Sequence, residues 1–426
     1  MTTHVRALAV AAESSFGSIA AATGLPDVAA LVFRQAEFEL ASVDLSSLEA
    51  ETTENADGRD GFYHRPPEPV TVWSGGSRVR RLTGTIKVKA SLRTAGVHGG
   101  TFSYYGQVPL AQMIASGMGV HNPAALLVTA TGASSATRFT VGVADFAAAV
   151  VGDMLATEIA GRAEFSAITG KSAPATLIHS PALSAGLVLD DEARLCRVFH
   201  LTTDEALFGP SIALIIDGDG WRAVAVGCRM ESLAISYDGR KVVCEVTLRA
   251  AHADTDHASA DVSPPTYEAG AIVHALGSYA VISGAATGAA PWELARNVVG
   301  VDEFSASITN TLAPLSRSDS ILGMSDYRIA KQDAEVSLTL SRAWDTVDDD
   351  LLDQTERSVL VGWGPPGKGD GACLYLPAAH LTNDAALRDL GGDVVRQSLN
   401  YRQGRNAGDN SNAEPAGTHA RLAFAL

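Results

Sequence analysis

The sequence predicts a mainly β protein: two tandem β-sandwich units, each with a short flanking helix, and a small β-barrel-like insertion in the first. Three observations carry this expectation. Apolar and polar residues alternate with period two in several segments, one segment has a strong hairpin turn, and one order of elements occurs twice along the 426 residues.

In GTIKVKASLR, Ile86, Val88, Ala90 and Leu92 fall on one side of an extended chain, and Lys87, Lys89, Ser91 and Arg93 on the other. This is the pattern of an antiparallel strand with one wet face. AEVSLTLSRA repeats it with Val336, Leu338 and Leu340 inward, and FSASITNTL with Phe304, Ala306 and Ile308. In MESLAISYDGRKVVCEVTLRA, Asp238-Gly239 suits a two-residue turn whose central positions need positive φ. Pairing outward from that turn sets Ile235 opposite Val242, Leu233 opposite Cys244 and Cys228 opposite Arg249. Two short helices are expected. VPLAQMIASGMG has Pro109 in the first turn, Leu110, Met113 and Ile114 on one stripe, and Gly119 as a stop. DDDLLDQTERSVL opens with Asp348 to Asp350, which suit a helix N-terminus, and continues amphipathically.

The repeated order divides the chain into a first unit, 1–265, and a second, 266–426. QAEFELASVDLSS, a long polar loop, GTIKVKASLR and the Pro109 helix are answered by DEFSASITNTL, a loop, AEVSLTLSRA and the Asp348 helix. The first unit carries two additions: a polar loop over 46–81, long enough to suggest a role of its own, and an inserted module over about 150–189 with three short strands.

Composition bounds the function. Hydrophobic residues are 46 % and charged residues 19 %, enough for a sizeable core. A formal net charge of −16 argues against nucleic-acid grip, which needs concentrated Lys and Arg. Cys196, Cys228, Cys244 and Cys373 show no metal or disulfide spacing and read as buried small hydrophobes. The apolar run near the N-terminus is too short for a secretory signal, and Ala271–Ala290 is too polar for a membrane span. The expectation is a soluble protein made in a reducing cytoplasm.

GWGPPGKG, Gly362 to Gly369, matches two phosphate-binding patterns by letters. Its context fails both. Gly369 stands where a magnesium-binding Ser or Thr is needed, Pro365 and Pro366 remove two N–H donors, and the apolar run behind it is strand-like rather than helical. ITGKS, ending at Ser172, and GDGWRA, from Gly218 to Ala223, fail for similar reasons. In AHADTDH, His252, Asp254 and Asp256 share a face beside His257, but no further ligand motif is near. No G-x-S-x-G and no H-E-x-x-H occurs. The expectation is therefore no catalytic residue, no cofactor and no metal. Phe62, Tyr63 and Trp73 lie in the long polar loop, where aromatics suit a subunit-docking arm.

Taken together, FELASVDLSS, the long loop, GTIKVKASLR leading into PLAQMIASGMG, VGDMLATEIAGRAEFSAITG with HSPAL, the ISYDGRKVVCEVTLRA hairpin, and DEFSASITNTLAP with AEVSLTLSRA resemble the major tail tube proteins of long-tailed bacteriophages. The resemblance spans most of the chain as an order of elements. It implies tail-tube-like sandwich units whose inner strands join between subunits into a barrel, in rings that stack into a virion tail tube assembled in the host cytoplasm. Two fused units imply a homotrimeric, pseudo-hexameric ring. The implied partners are further copies of the chain, the tape measure protein and the tail-end proteins, with DNA passing an acidic lumen unbound and no membrane involved. The 150–189 insertion is expected outside the ring. The competing readings are a β-rich binding module of carbohydrate-binding type and a nucleotide-using enzyme.

Overall fold

The computed structural model describes residues 5–18, 26–35, 40–53, 78–94, 109–124, 127–132, 134–159, 162–202, 207–218, 221–238, 241–254, 271–272, 278–284, 297–299, 301–317, 322, 324–340, 351–364, 371–382, 387–389, 395–404 and 418–425.

The chain opens with β1 (Val5–Ala12), β2 (Arg34–Gln35), β3 (Leu40–Thr53), β4 (Arg78–Ser91), β5 (Arg93–Thr94), helix α1 (Pro109–Ala115) and β6 (Gly119–His121). A module of short strands follows: β7 (Leu127–Thr129), β8 (Arg138–Thr140), helix α2 (Val143–Ala148), β9 (Met154–Ile159), β10 (Arg162–Ser172), β11 (Thr176–Ser180) and β12 (Glu192–Leu195). The first half then closes with β13 (Arg197–His200), β14 (Ile212–Gly218), β15 (Arg222–Asp238) and β16 (Lys241–Asp254). The second half holds β17 (Ala271–Ile272), β18 (Tyr279–Gly284), β19 (Asn297–Val299), β20 (Val301–Ser316) and β21 (Met324–Leu340). It ends with β22 (Arg357–Trp363), β23 (Ala372–Leu381), β24 (Leu387–Asp389), β25 (Val395–Gln403) and β26 (Arg421–Phe424).

The chain is mainly β, as its alternating sequence predicts. One antiparallel run of strands, β3-β4-β16-β15-β20-β21-β25, passes through both halves. Its inward residues are those that the alternation selects: Ile86, Val88, Ala90, Leu92, Phe304, Ala306, Ile308, Val336, Leu338 and Leu340 are all buried. Against this face lie two outer layers in the same core: β2-β1-β14, which rejoins β15, and β6-β13-β26-β23-β22-β18-β19. Strands β6 and β13 precede and follow the inserted module, yet they extend the outer layer of the second half. The two halves are therefore interlocked through β13 and β26.

A buried carboxylate fixes the first outer layer. Glu13 accepts hydrogen bonds from the Ser18 amide at 2.9 Å, the Gly227 amide at 3.0 Å and the Ser211 hydroxyl at 2.7 Å. Gly227 has φ +63, and a Cβ there would lie 2.7 Å from the Cβ of Ala251, so glycine is required at this bend of β15.

The inserted module is a six-stranded antiparallel sheet, β7-β12-β9-β10-β11-β8, drawing its strands from residues on both sides of the 150–189 stretch. An Ala130–Val141 bridge joins its two edges, so the sheet curls back on itself around Phe139, Leu155, Ile168, Leu177 and Leu195. Its other face packs on the second half's outer layer, with Met154 and Phe165 against Val281, Leu360 and Tyr375.

Several sequence expectations need correction. The loop expected over 46–81 is shorter, because β3 continues to Thr53 and β4 begins at Arg78. The hairpin turn moves by one residue: Asp238 pairs with Lys241, Ile235 with Cys244 and Leu233 with Val246. Because the strand period is two, that shift leaves Leu233, Ile235, Val242 and Cys244 on the same buried face. An irregularity between Met230 and Ser232 then sets Arg229, not Cys228, opposite Arg249. Helix α1 ends at Ala115 rather than running to Gly119, because the Ser116 hydroxyl takes the Met113 carbonyl and the Gly117 amide the Ile114 carbonyl. In the Asp348 segment, Leu351 and Leu352 are helical, but the chain is already a strand from Arg357. Asp348 to Asp350 lie outside the described residues.

Candidate functional site

Among the described residues, no letter-matched motif forms a site. Gly362 and Trp363 belong to β22, Trp363 is buried against Phe304, and β23 follows; residues 365–370 lie outside the described residues. The Gly-Lys-Ser of ITGKS is inside β10, where the Lys171 ammonium donates to the Ala149 carbonyl at 2.8 Å and sits 4.4 Å from the Phe146 ring centre. Gly218 and Trp221 flank the connection of two strands, β14 and β15. His252 is buried in β16 and Asp254 is half-buried at its end, while Asp256 and His257 are outside the described residues. No group of three metal-ligating side chains occurs among the described residues. Phe62, Tyr63 and Trp73 also lie outside them.

One pair escaped the sequence reading. The Ser166 hydroxyl donates to the Pro181 carbonyl at 2.7 Å and lies 3.0 Å from Nδ1 of His179. Both side chains are fully buried in the inserted module, and burial lowers the His179 pKa to about 4. The pair has the atoms of a nucleophile and base, but among the described residues both side chains are sealed from solvent, as packing groups are. The four cysteines are buried and free, and burial first of all pushes the Cys244 thiol up to about 12.

What the molecule does display is the wet face of the long sheet. Reading across at one level, Asp44, Lys87, Thr247, Ser232, Thr309 and Asp333 are successive neighbours. The next level runs Lys89, Glu245, Ala234, Ser307, Glu335 and Arg402. Short residues, polar apart from Ala234, fill the middle and charges of both signs occupy the flanks. Three of the cations there sit against carboxylates. Arg402 bonds Asp333 and lies 3.6 Å from Glu335, Lys331 lies 3.3 Å from Asp333, and Arg249 lies 3.1 Å from Glu231. Hydrogen bonds from Arg402 hold the Asp333 carboxyl below its usual range, and bonds from Ser46 and the charge of Lys87 do the same for Asp44.

The sheet is continuous within the chain because β15 pairs with β20, Ser232 with Thr309 through Ser236 with Ser305. Polar side chains clamp this seam. Arg229 of β15 holds Asp326 of β21 with two bonds, at 3.0 and 2.6 Å, and also donates to the Gly209 and Ser116 carbonyls at 2.5 and 3.3 Å. Asn310 of β20 donates to the Gly117 and Met230 carbonyls at 2.9 Å each, and Gln332 of β21 donates to the Asn310 side-chain oxygen at 3.0 Å. At the far side of the sheet, β3 has a strand partner on one edge alone among the described residues, and Val43, Leu45 and Leu48 are only partly buried there.

No helix among the described residues is long and apolar enough to cross a membrane. No curated protein matches the chain. A family profile described as phage tail tube protein matches residues 3–402, nearly the whole length. A β-rich chain whose long sheet ends in an open β3 edge, with no catalytic constellation among its described residues, is consistent with that match, and the chain belongs to the phage tail tube protein family.

Proposed function

We propose that copies of this chain polymerise into stacked rings that form the tail tube of a virion, a conduit for DNA delivery. The observation that supports it best is the long sheet crossing both halves and ending in an open β3 edge. Closing such sheets edge to edge into a barrel removes exposed edges, and head-to-tail stacking of rings gives a filament. The chain acts as two tube units, 1–265 and 266–426, so three copies complete a pseudo-hexameric ring. The Ser- and Thr-rich wet face of the sheet lines the channel. Three of its cations, Lys331, Arg402 and Arg249, lie beside carboxylates, which lowers the number of free ammonium and guanidinium groups that passing DNA meets.

The six-stranded module packs on the outer layer, away from that face, and decorates the outside of the tube. Residues 54–77, with Phe62, Tyr63 and Trp73, dock on a neighbouring subunit. The tape measure protein and the tail-end proteins are the remaining partners, and assembly takes place in the host cytoplasm. Negative-stain microscopy of the purified protein tests the reading: rings or hollow tubes are expected, and monomers that persist after seeding would sink it. Replacing 54–77 by a short turn is expected to leave a folded chain unable to stack.

A further inference from the structure

Resting on the tube reading above, we infer the residue-level register by which one copy joins the next: Leu381 of one chain lies opposite Leu45 of its neighbour, and Thr382 opposite Asp44. The chain carries its own template for this contact. In the first half, Val88 of β4 has Val246 on one side and Val43 on the other, and Val246 in turn faces Leu233. In the second half, Val336 of β21 has Tyr401 on one side and Ala306 on the other, and Tyr401 in turn faces Leu381. Matching Val88 to Val336, inward residues of the two alternating strands, gives each strand of one set a counterpart in the other. Leu233 corresponds to Leu381, and Val43 corresponds to Ala306.

At the internal seam, Leu233 faces Ile308, and Ala234 faces Ser307. Ile308 lies two residues beyond Ala306, as Leu45 lies two beyond Val43, Leu45 falling where the β3–β4 register shifts between Asp44 and Ser47. Transferring the seam to the open edge therefore sets Leu381 against Leu45 and Thr382 against Asp44. Burial agrees with the transfer. Leu233 and Leu381 are both buried, whereas Leu45 is partly buried with no strand beyond it among the described residues. Ala234, Thr382 and Asp44 are all exposed. A polar pair on the wet face and a leucine pair on the dry face are what one continuous sheet requires on its two sides.

The test is a double variant, Asp44→Cys with Thr382→Cys, in the full-length chain under mild oxidation. The native cysteines are buried, so the two introduced thiols are the reactive pair. Expected on non-reducing gels of assembled material is a ladder of covalent dimers and trimers, with at least tenfold less from a control pair two residues out of register, Ser42→Cys with Thr382→Cys. Tubes that form but cross-link at the control pair overturn the register and leave the tube reading standing. An absence of rings and tubes overturns the tube reading itself. If the double variant does not assemble, hydrogen exchange in the unmodified chain decides. Amides of Val43 to Ser46 are expected to slow at least tenfold on assembly, and unchanged exchange overturns the inference.

Discussion

At the seam between β15 and β20 the two halves of the chain meet strand to strand, whereas the six-stranded module meets the second half face to face. The seam is directional: ladder pairs from Ser232 to Ser236 are reinforced by Arg229, Asn310 and Gln332, each aimed at a particular acceptor. The module's contact is apolar and nearly non-directional. Met154 and Phe165 bury against Val281, Leu360 and Tyr375. Polar links at this contact are the Phe165 amide to the Tyr279 hydroxyl at 2.8 Å and His121 to the buried Asp153 at 2.5 Å. The difference follows from what each contact must specify. A sheet that runs on into a neighbour needs a fixed register, since a slip of one residue turns every side chain to the wrong face. A decoration needs burial alone.

Removing the seam's guanidinium tests this most severely. Arg229→Ala takes away both bonds to Asp326 and two carbonyl contacts, leaving a partly buried carboxylate without its cation. The expected loss is about 2–3 kcal/mol, less than for a fully buried pair, because water still reaches the Asp326 carboxylate left behind. Calorimetry should show the long sheet unfolding earlier while the module's own transition moves little. Equal shifts in both would break the comparison.

The seam was invisible in the sequence because its partners are far apart: Arg229 and Asp326 are separated by 97 residues and neither sits in a motif. The strands that form the sheet were legible, since period-two alternation survives in long elements such as β4 and β21. The register was legible only to within its period: Asp238-Gly239 suggested a turn one residue early, and the alternation hid the error. The module was legible as short strands but not in extent, because β7 and β8 are three residues each and too short to show alternation. The letter matches to phosphate loops were the loudest local signals, yet strands rather than helices occupy the described residues that follow GWGPPGKG and the Gly218 segment.

The second test is acid. His179 is neutral in the fold, with Nδ1 toward Ser166 and Nε2 unbonded, and burial lowers its pKa from 6.5 to about 4. The unfolded chain takes up this proton below pH 6.5 and the folded one only near pH 4. Stability from the neutral ring is therefore complete above pH 6.5 and is lost as pH falls toward 4, in all about 3 kcal/mol. Titrating thermal unfolding between those values should weaken the module ahead of the seam. His179→Phe should flatten the module's pH dependence in that window, and an unchanged slope would exclude the histidine as its source.

The smallest expected effect separates directional from non-directional contact most cleanly. Tyr279→Phe removes one hydroxyl and leaves the ring against Gly362, where a Cβ would lie 2.6 Å from the tyrosine ring. The lost partner is the Phe165 amide, at the centre of the module's packed face. A neutral hydrogen bond is worth about 1 kcal/mol net, and a buried donor left bare adds to the cost, so about 1–2 kcal/mol is expected. Hydrogen exchange at Phe165 should rise tenfold or more, while amides from Ser232 to Ser236 keep their protection. If the seam amides loosen as well, the module is a brace for the sheet rather than a decoration on it. The apolar face would then specify the sheet's geometry as firmly as the polar clamp does.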